Sequence, residues 1–142
     1  MEMLDSPFFL FLPIAMWLED YSEVKKQFDL WREQGVEDLL DFLQQDESRI
    51  LECARKIKLL KVNSKTLELY QAKDFDHLHQ NLDLVFKQDM SKTHVKELLA
   101  LWNGETQFSN SAVNYTLTGK RLVIPPFLIE LMGRKSKALV IV

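Results

Sequence analysis

The side chains that could do acid–base or metal chemistry are few and widely spaced in this sequence. Among the three histidines, His77 and His79 lie two positions apart, which on a helix points their imidazoles to different sides. We expect them, and His94 near the start of a later helix, to be solvated surface residues. Cys53 is the single cysteine, so no internal disulfide or thiolate zinc site can form. The sequence therefore predicts no metal site and fits the reducing environment of the cytoplasm.

The carboxylates are spaced as on the solvent-exposed face of a helix. Glu37, Asp38 and Asp41 show this repeat, and the sequence has no Gly-rich phosphate loop, nucleophile elbow or HExxH motif. We therefore expect that this chain is not an enzyme. One enzyme hypothesis stays open, a small cone fold of the ketosteroid isomerase kind, which would need a buried carboxylic acid beside a tyrosine such as Tyr115.

Length and charge limit the remaining classes of protein. A chain of 142 residues, 46% of them hydrophobic, is long enough for one domain over residues 1–142. Its net charge of -3 and its scattered lysines and arginines exclude the basic stripe that nucleic acid requires. The apolar run at residues 8–18 is shorter than the roughly 20 residues of a membrane-spanning helix. Glu2 and Asp5 precede that run where a signal peptide carries positive charge. We predict a cytoplasmic protein that does not span a membrane.

The first half of the chain is predicted to place a strand before three helices. Residues 14–18 form the strand, and residues 20–58 form the helices. Val24, Phe28 and Trp31 recur at helical spacing until Gly35 ends the first helix. The second helix begins near Val36, and Asp46 caps the third.

The second half is predicted to contain one strand, several short helices, a longer helix and three final strands. The strand at residues 59–62 runs into an Asn63-Ser64 cap, and the longer helix begins at Ser91 with an apolar face of Val95, Leu98, Leu99 and Trp102. Alternation then predicts strands at residues 107–117, 121–131 and 137–142. The last is apolar enough to be central in its sheet. Pro125 and Pro126 each remove a ladder donor, which predicts a bulge or break there.

This order resembles a PAS sensor domain of the S-box type. The resemblance rests on a strand ending in Asn63, the LELY that follows, a long helix ending in Gly104, and the TLTGKR hairpin. It covers residues 59–142 and, less closely, the IAMWLED segment at residues 14–20. It implies an α+β fold in which short helices cover one face of a five-stranded antiparallel sheet and leave a small ligand cavity.

One departure from the family pattern restricts the resemblance to a subgroup of PAS domains. The usual PAS domain joins its first two strands by a tight turn, whereas here a helical insertion at residues 20–58 separates them. Such an arrangement resembles PAS domains of bacterial sensor histidine kinases and diguanylate cyclases. The family's last strand continues toward an output domain, so we expect an output domain outside this chain.

The resemblance also implies candidate site residues and partners. Aromatic and polar side chains near the expected cavity are its candidate lining, namely Trp17, Tyr70, Trp102, Asn114, Tyr115 and Phe127. The sequence does not decide which face of the sheet meets the helices. It also leaves the cofactor open, because His94 is only a weak candidate for a haem ligand and Cys53 lies outside any flavin-reactive motif. A homodimer is expected, with residues 1–12 as a docking segment. A ligand-free dimerisation module is the alternative function.

Overall fold

The computed structural model describes residues 7–87, 91–132 and 136–142 of this α+β protein. The predicted fold class is confirmed, because five antiparallel strands form one sheet and the helical insertion separates the first two strands. In chain order the described elements are α1 (Pro7–Leu10), β1 (Met16–Asp20), α2 (Ser22–Glu33), α3 (Leu39–Gln45), α4 (Ser48–Lys56), β2 (Lys58–Val62), α5 (Ser64–Tyr70), α6 (Phe75–His79), α7 (Leu82–Val85), α8 (Ser91–Trp102), β3 (Gln107–Tyr115), β4 (Arg121–Met132) and β5 (Lys137–Ile141).

The strands lie in the order β2-β1-β5-β4-β3, so the last strand of the chain is at the centre of the sheet. β5 pairs with β1 on one side and with β4 on the other, both antiparallel. Ala138, Leu139 and Val140 are accordingly all buried. The prediction of a central last strand is confirmed, because only a strand covered on both faces can hold consecutive apolar residues away from water.

The two faces of the sheet differ in what covers them. We call the face toward α2–α8 the inner face, and Trp17, Ile129 and Val140 are among its buried residues. The opposite, outer face is covered at β1 and β5 by α1, where Phe9 packs with Met16, Leu18 and Leu139. Because successive side chains of a strand alternate, β1 contributes to both layers.

Asn63 explains why a short helix follows β2 directly. Its side-chain Oδ1 accepts from the backbone N–H of Thr66 at 3.1 Å and caps α5. The same oxygen accepts from the backbone N–H of Met16 at 3.1 Å, and Nδ2 donates to the carbonyl oxygen of Ile14 at 2.7 Å. Asn63 is fully buried. One side chain therefore fixes the start of α5 against the start of β1.

The predicted irregularity at Pro125 and Pro126 is a bulge. Asn110 pairs with Phe127 and Ala112 pairs with Ile124, so two prolines oppose the single residue Ser111. The extra residue keeps Ile124 and Phe127 on the same, inner face although they are three positions apart. The prolines therefore set which β4 side chains reach the core.

Helix α8 differs from its prediction in the face that it buries. Its buried residues are Thr93, Glu97, Leu98, Ala100 and Leu101, whereas Val95, Leu99 and Trp102 are half-buried. The helix is rotated toward a polar position because Glu97 has a buried partner on the sheet side, as described below. Of the described helices, none is both long and apolar enough to cross a membrane.

Candidate functional site

A cavity of about 710 Å³ lies between the inner face of β1 and β2 and the helices that cover it. Strand β1 contributes Trp17 and Glu19, and α5 contributes Thr66 and Tyr70. Most of the remaining wall is apolar and comes from α4, β2, α6 and α7: Ile50, Leu51, Ala54, Ile57, Leu59, Val62, Leu78, Leu82 and Val85. An apolar wall with a few polar groups is typical of small-molecule sites, and this volume lies in their usual range of about 300–1,000 Å³.

A second cavity of about 40 Å³ lies deeper, between α8 and the middle of the sheet. Its wall includes Glu97 on α8 and Asn114 on β3, together with apolar residues of β3, β4 and β5. Five residues line both cavities: Trp17, Glu19, Ile57, Phe86 and His94. The smaller cavity is therefore adjacent to the deep end of the larger one.

Glu19 is half-buried and is the centre of a partly buried hydrogen-bond network at this junction. Its Oε1 accepts from the indole Nε1–H of Trp17 at 2.9 Å, and its Oε2 lies 2.7 Å from the hydroxyl of Tyr21. The same hydroxyl contacts Oε1 of Glu97 across the interface with α8. Tyr21 is fully buried and Glu97 nearly so. Two carboxyl groups are thus bridged by one phenol in the core.

This bridge holds a proton beyond that of the phenol. Tyr21 has one hydroxyl proton and can donate it to only one carboxylate. For both contacts to be hydrogen bonds, one of the two carboxyl groups must donate in turn, so it must be neutral. The pKa of Glu19 is raised to about 8, first by burial and then by the charge of Glu97, while the hydrogen bonds from Tyr21 and Trp17 oppose the rise. Burial likewise raises the pKa of Tyr21 well above its ordinary value.

His94 lies beside this network and is not the solvated residue that the sequence predicted. Its side chain is only 14% exposed, and its Nδ1 is 3.8 Å from Oε2 of Glu97. That nitrogen is buried and has no hydrogen-bond partner in the described part of the chain. The rotation of α8 toward Glu97 brings His94 inward as well, because residues three positions apart share a helix face. His94 therefore lines both cavities.

Tyr70 and Asn114 form a second polar pair nearby. The Nδ2 of Asn114 donates to the Tyr70 hydroxyl at 2.7 Å, and both residues are buried. The Oδ1 of Asn114 is buried without a hydrogen-bond partner among the described residues. A buried acceptor without a donor costs about 1–3 kcal/mol, so this oxygen is a position where a bound group would be stabilised.

The six predicted lining residues separate into two sets. Trp17 and Tyr70 line the larger cavity, and Asn114 and Phe127 line the smaller one. Trp102 lines neither of them, because it packs edge-on against Phe28 of α2 with the guanidinium of Arg32 3.9 Å from its ring centre.

Tyr115 also lines neither cavity, because it belongs to the outer-facing set of β3. Its ring lies 4.4 Å from Nζ of Lys87. The isomerase hypothesis placed a buried carboxylic acid beside Tyr115, but Glu19 and Glu97 contact Tyr21 instead. Asn110, Ala112 and Asn114 are the buried face of β3, which decides the orientation that the sequence left open.

The other chemically active side chains lie apart from this network. The thiol of Cys53 is fully buried, and burial raises its pKa to about 12, so it is protonated and unreactive at neutral pH. His77 Nδ1 accepts from the backbone N–H of Lys73, and His79 stacks on Phe75. No group of three or more potential metal ligands occurs among the described residues.

The sequence interpretation missed Glu19, Tyr21 and Glu97. Glu19 follows Trp17 by two positions on an apolar strand, which puts both on one face, and that alternation was a usable signal. Glu97 follows Thr93 and precedes Leu101 by four positions, but its burial becomes evident only once Tyr21 is placed against it. In comparisons with known proteins, no family model, no curated protein and no solved structure matches this chain.

Proposed function

We propose that this chain is a PAS-type sensory domain of a bacterial signal-transduction protein, which binds a small ligand to control an output domain outside this chain. The observation that supports the proposal is the cavity of about 710 Å³ between the helices and the inner face of the sheet. The proposal places the protein in the cytoplasm.

The shape of the cavity wall supports a regulatory role. α5, α6 and α7 have seven, five and four residues, and helices this short depend on packing for their stability. A ligand that contacts Tyr70, Leu78 and Val85 would stabilise these helices against the sheet. Ligand binding would thereby shift the population toward the state in which these helices pack against the sheet, and this shift would change the packing of a dimer.

Native mass spectrometry of the freshly purified protein tests this function, together with its absorption spectrum. We expect a non-covalent adduct that disappears in Ala54→Phe, because Ala54 lines the larger cavity and the added phenyl ring would occupy space that the ligand needs. Leu30→Phe is the matched control, since Leu30 is 47% exposed on α2. A parent protein that shows no adduct and no absorption beyond that of Trp and Tyr contradicts a resident ligand, and an adduct that survives in Ala54→Phe contradicts this cavity as its site.

A ligand-free dimerisation module is the second candidate function. Phe8 and Phe11 on and after α1 are 68% and 76% exposed, whereas Phe9 between them is buried. Two exposed aromatic side chains on one short segment are typical of an interaction surface. The double substitution Phe8→Ser with Phe11→Ser should give a monomer in analytical ultracentrifugation without unfolding the domain, since Phe9 is retained. A parent that is itself monomeric, or a variant that remains dimeric, contradicts this surface.

A further inference from the structure

The smaller cavity offers acceptors of hydrogen bonds and few donors. Glu19 and Glu97 contribute carboxyl oxygens, both carboxyl groups contact the hydroxyl of Tyr21, and Asn114 contributes an unpaired Oδ1. Asn114 is only 3% exposed, so water outside the fold does not satisfy this oxygen. Thr93 already donates its hydroxyl proton to the carbonyl oxygen of Ser111.

The cavity also lacks the permanent positive charge of a lysine or arginine that would balance the two carboxyl groups. Neither lysine nor arginine occurs among the described residues that line it. His94 is the nearest basic group, and its Nδ1 remains 3.8 Å from Glu97 without a hydrogen bond. Buried carboxylates without a counter-charge are costly, so the pair must hold an extra proton or receive a cation.

We propose that the smaller cavity binds the primary ammonium group of an apolar amine, whose hydrocarbon part occupies the larger cavity. The inference rests on the proposed function, because it names the class of ligand for the same site. An ammonium group has three donors and no acceptor, which complements Glu19, Glu97 and the free Asn114 oxygen. It is a compact charge, and about 40 Å³ holds a group near the size of a water molecule.

The larger cavity supplies the apolar environment for the rest of the ligand. Trp17 lines both cavities, so its indole ring can contact an alkyl chain that passes from one cavity to the other. Leu78, Leu82 and Val85 form part of the apolar wall beyond it. A ligand with a cationic end and an apolar body therefore matches the arrangement of the two cavities.

Binding replaces a proton on the two carboxyl groups by the ammonium group of the ligand. When the ammonium group binds, the shared proton leaves for solvent and the carboxyl group that held it becomes a carboxylate paired with the ligand. Because the pKa of Glu19 is raised to about 8, amine affinity should increase as pH rises toward 8, where this proton is lost more easily. Above that pH the affinity should level off, until the amine itself loses its proton near pH 10.

Other titratable groups face Glu19 and influence its protonation. Tyr21, Glu97 and His94 contact or adjoin it in the network, and Tyr70 interacts with it electrostatically from α5. Strand β5 contributes Ala138 opposite it and therefore no charge. The charged residues of the larger cavity are Glu47, Arg55, Asp83 and Lys87, each of them exposed. Their exposure to solvent screens their effect on Glu19.

Isothermal titration calorimetry with three probes of equal chain length tests the proposal. The probes are n-octylamine, 1-octanol and sodium octanoate, which share the hydrocarbon part and differ in the charge of the head group. At pH 7 we expect the amine to bind at least about tenfold more tightly than the alcohol, as a charge-assisted hydrogen bond predicts. Octanoate should bind most weakly. Repeating the amine titration in two buffers of different ionisation enthalpy should reveal release of about one proton.

Two variants assign the preference to the acidic pair. Glu19→Gln keeps the shape of the neutral carboxyl group and should bind amine and alcohol within about twofold of each other, without the rise in affinity toward pH 8. Glu97→Gln gives a second, independent reading if the first variant fails to fold. Glu130→Gln is the matched control, because Glu130 lies on the outer face of the sheet, where it accepts from Gln107.

The possible outcomes separate this inference from the proposed function. If the alcohol binds as tightly as the amine, or if both glutamine variants keep the preference for the amine, the ammonium site is wrong while a ligand cavity remains supported. If none of the three probes binds to the folded parent protein, the inference and the ligand-binding role are both contradicted.

Discussion

The inner and outer faces of the central strands differ in side-chain polarity and in packing. On the outer face, Phe9 packs on Met16, Leu18 and Leu139 in a small closed cluster. On the inner face, Trp17 and Glu19 of the same strand line two cavities, and the pKa of Glu19 is raised so that its carboxyl group retains a proton at neutral pH. Closed packing stabilises a fold, whereas unfilled space with unpaired polar atoms provides room for a ligand.

The difference follows from the covering elements. One short helix, α1, can place a single aromatic ring over the paired strands β1 and β5, so the outer contact is complete. Seven described helices, α2–α8, cover the inner face, and three of them have seven residues or fewer between β2 and α8. Short helices with loops between them cannot match a twisted sheet everywhere, and a cavity remains. The comparison predicts different responses to substitution on the two faces.

The largest expected effect concerns the pH dependence of stability on the inner face. Glu19 has its pKa raised to about 8 in the folded protein, so the folded state retains a proton between pH 4.5 and 8 that the unfolded state has lost. The free energy of unfolding should therefore decrease as pH rises through this window, by up to about 5 kcal/mol. Glu19→Gln should remove this decrease in urea titrations at pH 5, 6, 7 and 8.

The matched control for this prediction is Glu130→Gln on the outer face, which should keep the pH dependence of the parent protein. A parent protein whose stability is constant between pH 5 and 8 would contradict the shared proton. An equal change in both variants would remove the contrast between the two faces.

The second effect concerns the closed packing of the outer face. Phe9→Ala should lower the free energy of unfolding by about 4 kcal/mol, because it removes a fully buried ring and leaves a gap over β1 and β5. Phe11→Ala, the same change at a ring that is 76% exposed, should cost less than about 0.5 kcal/mol. Chemical denaturation of both variants measures the difference, and similar costs would show that α1 does not dock in this way.

The smallest expected effect is the change in stability when an alanine is enlarged to leucine, either in a packed part or in an unfilled part of the inner face. Ala138→Leu on β5 should cost about 2 kcal/mol, since Ala138 is fully buried in the main core and three more carbons have no room. Ala54→Leu on α4 should change stability by less than about 1 kcal/mol, because its side chain extends into the larger cavity. Thermal unfolding of the pair tests this. Equal destabilisation would mean that the cavity is filled in solution.

Much of the fold could be predicted because its signals are local. Asn63 after an apolar strand, Asp74 before a short helix, and Gly119 between β3 and β4 each specify a cap or turn by their own chemistry. The predicted start and end of α8 agree with the structure for the same reason. The face that α8 buries could not be predicted, because a partly apolar helix offers two faces of similar character and Tyr21 selects the one with Glu97.

The candidate site was less accessible to prediction. Trp17 and Tyr70 were found from their aromatic character, and both line the larger cavity. Trp102 and Tyr115 have the same character, but one lies against α2 and the other on the outer face. Side-chain type alone does not distinguish a ring at a cavity from a ring that packs against another helix. Whether the lining residues bind a ligand stays a prediction.

The sequence by itself determined the element order from β1 onward, the central position of β5, and an irregularity at Pro125 and Pro126, since periodicity, consecutive apolar residues and missing donors act within a few positions. Only the tertiary structure decided that Glu19, Tyr21 and Glu97 meet in one hydrogen-bond network beside two cavities. Residues 19 and 97 are far apart in the chain, and the raised pKa of Glu19 exists only after burial removes water and brings Glu97 close.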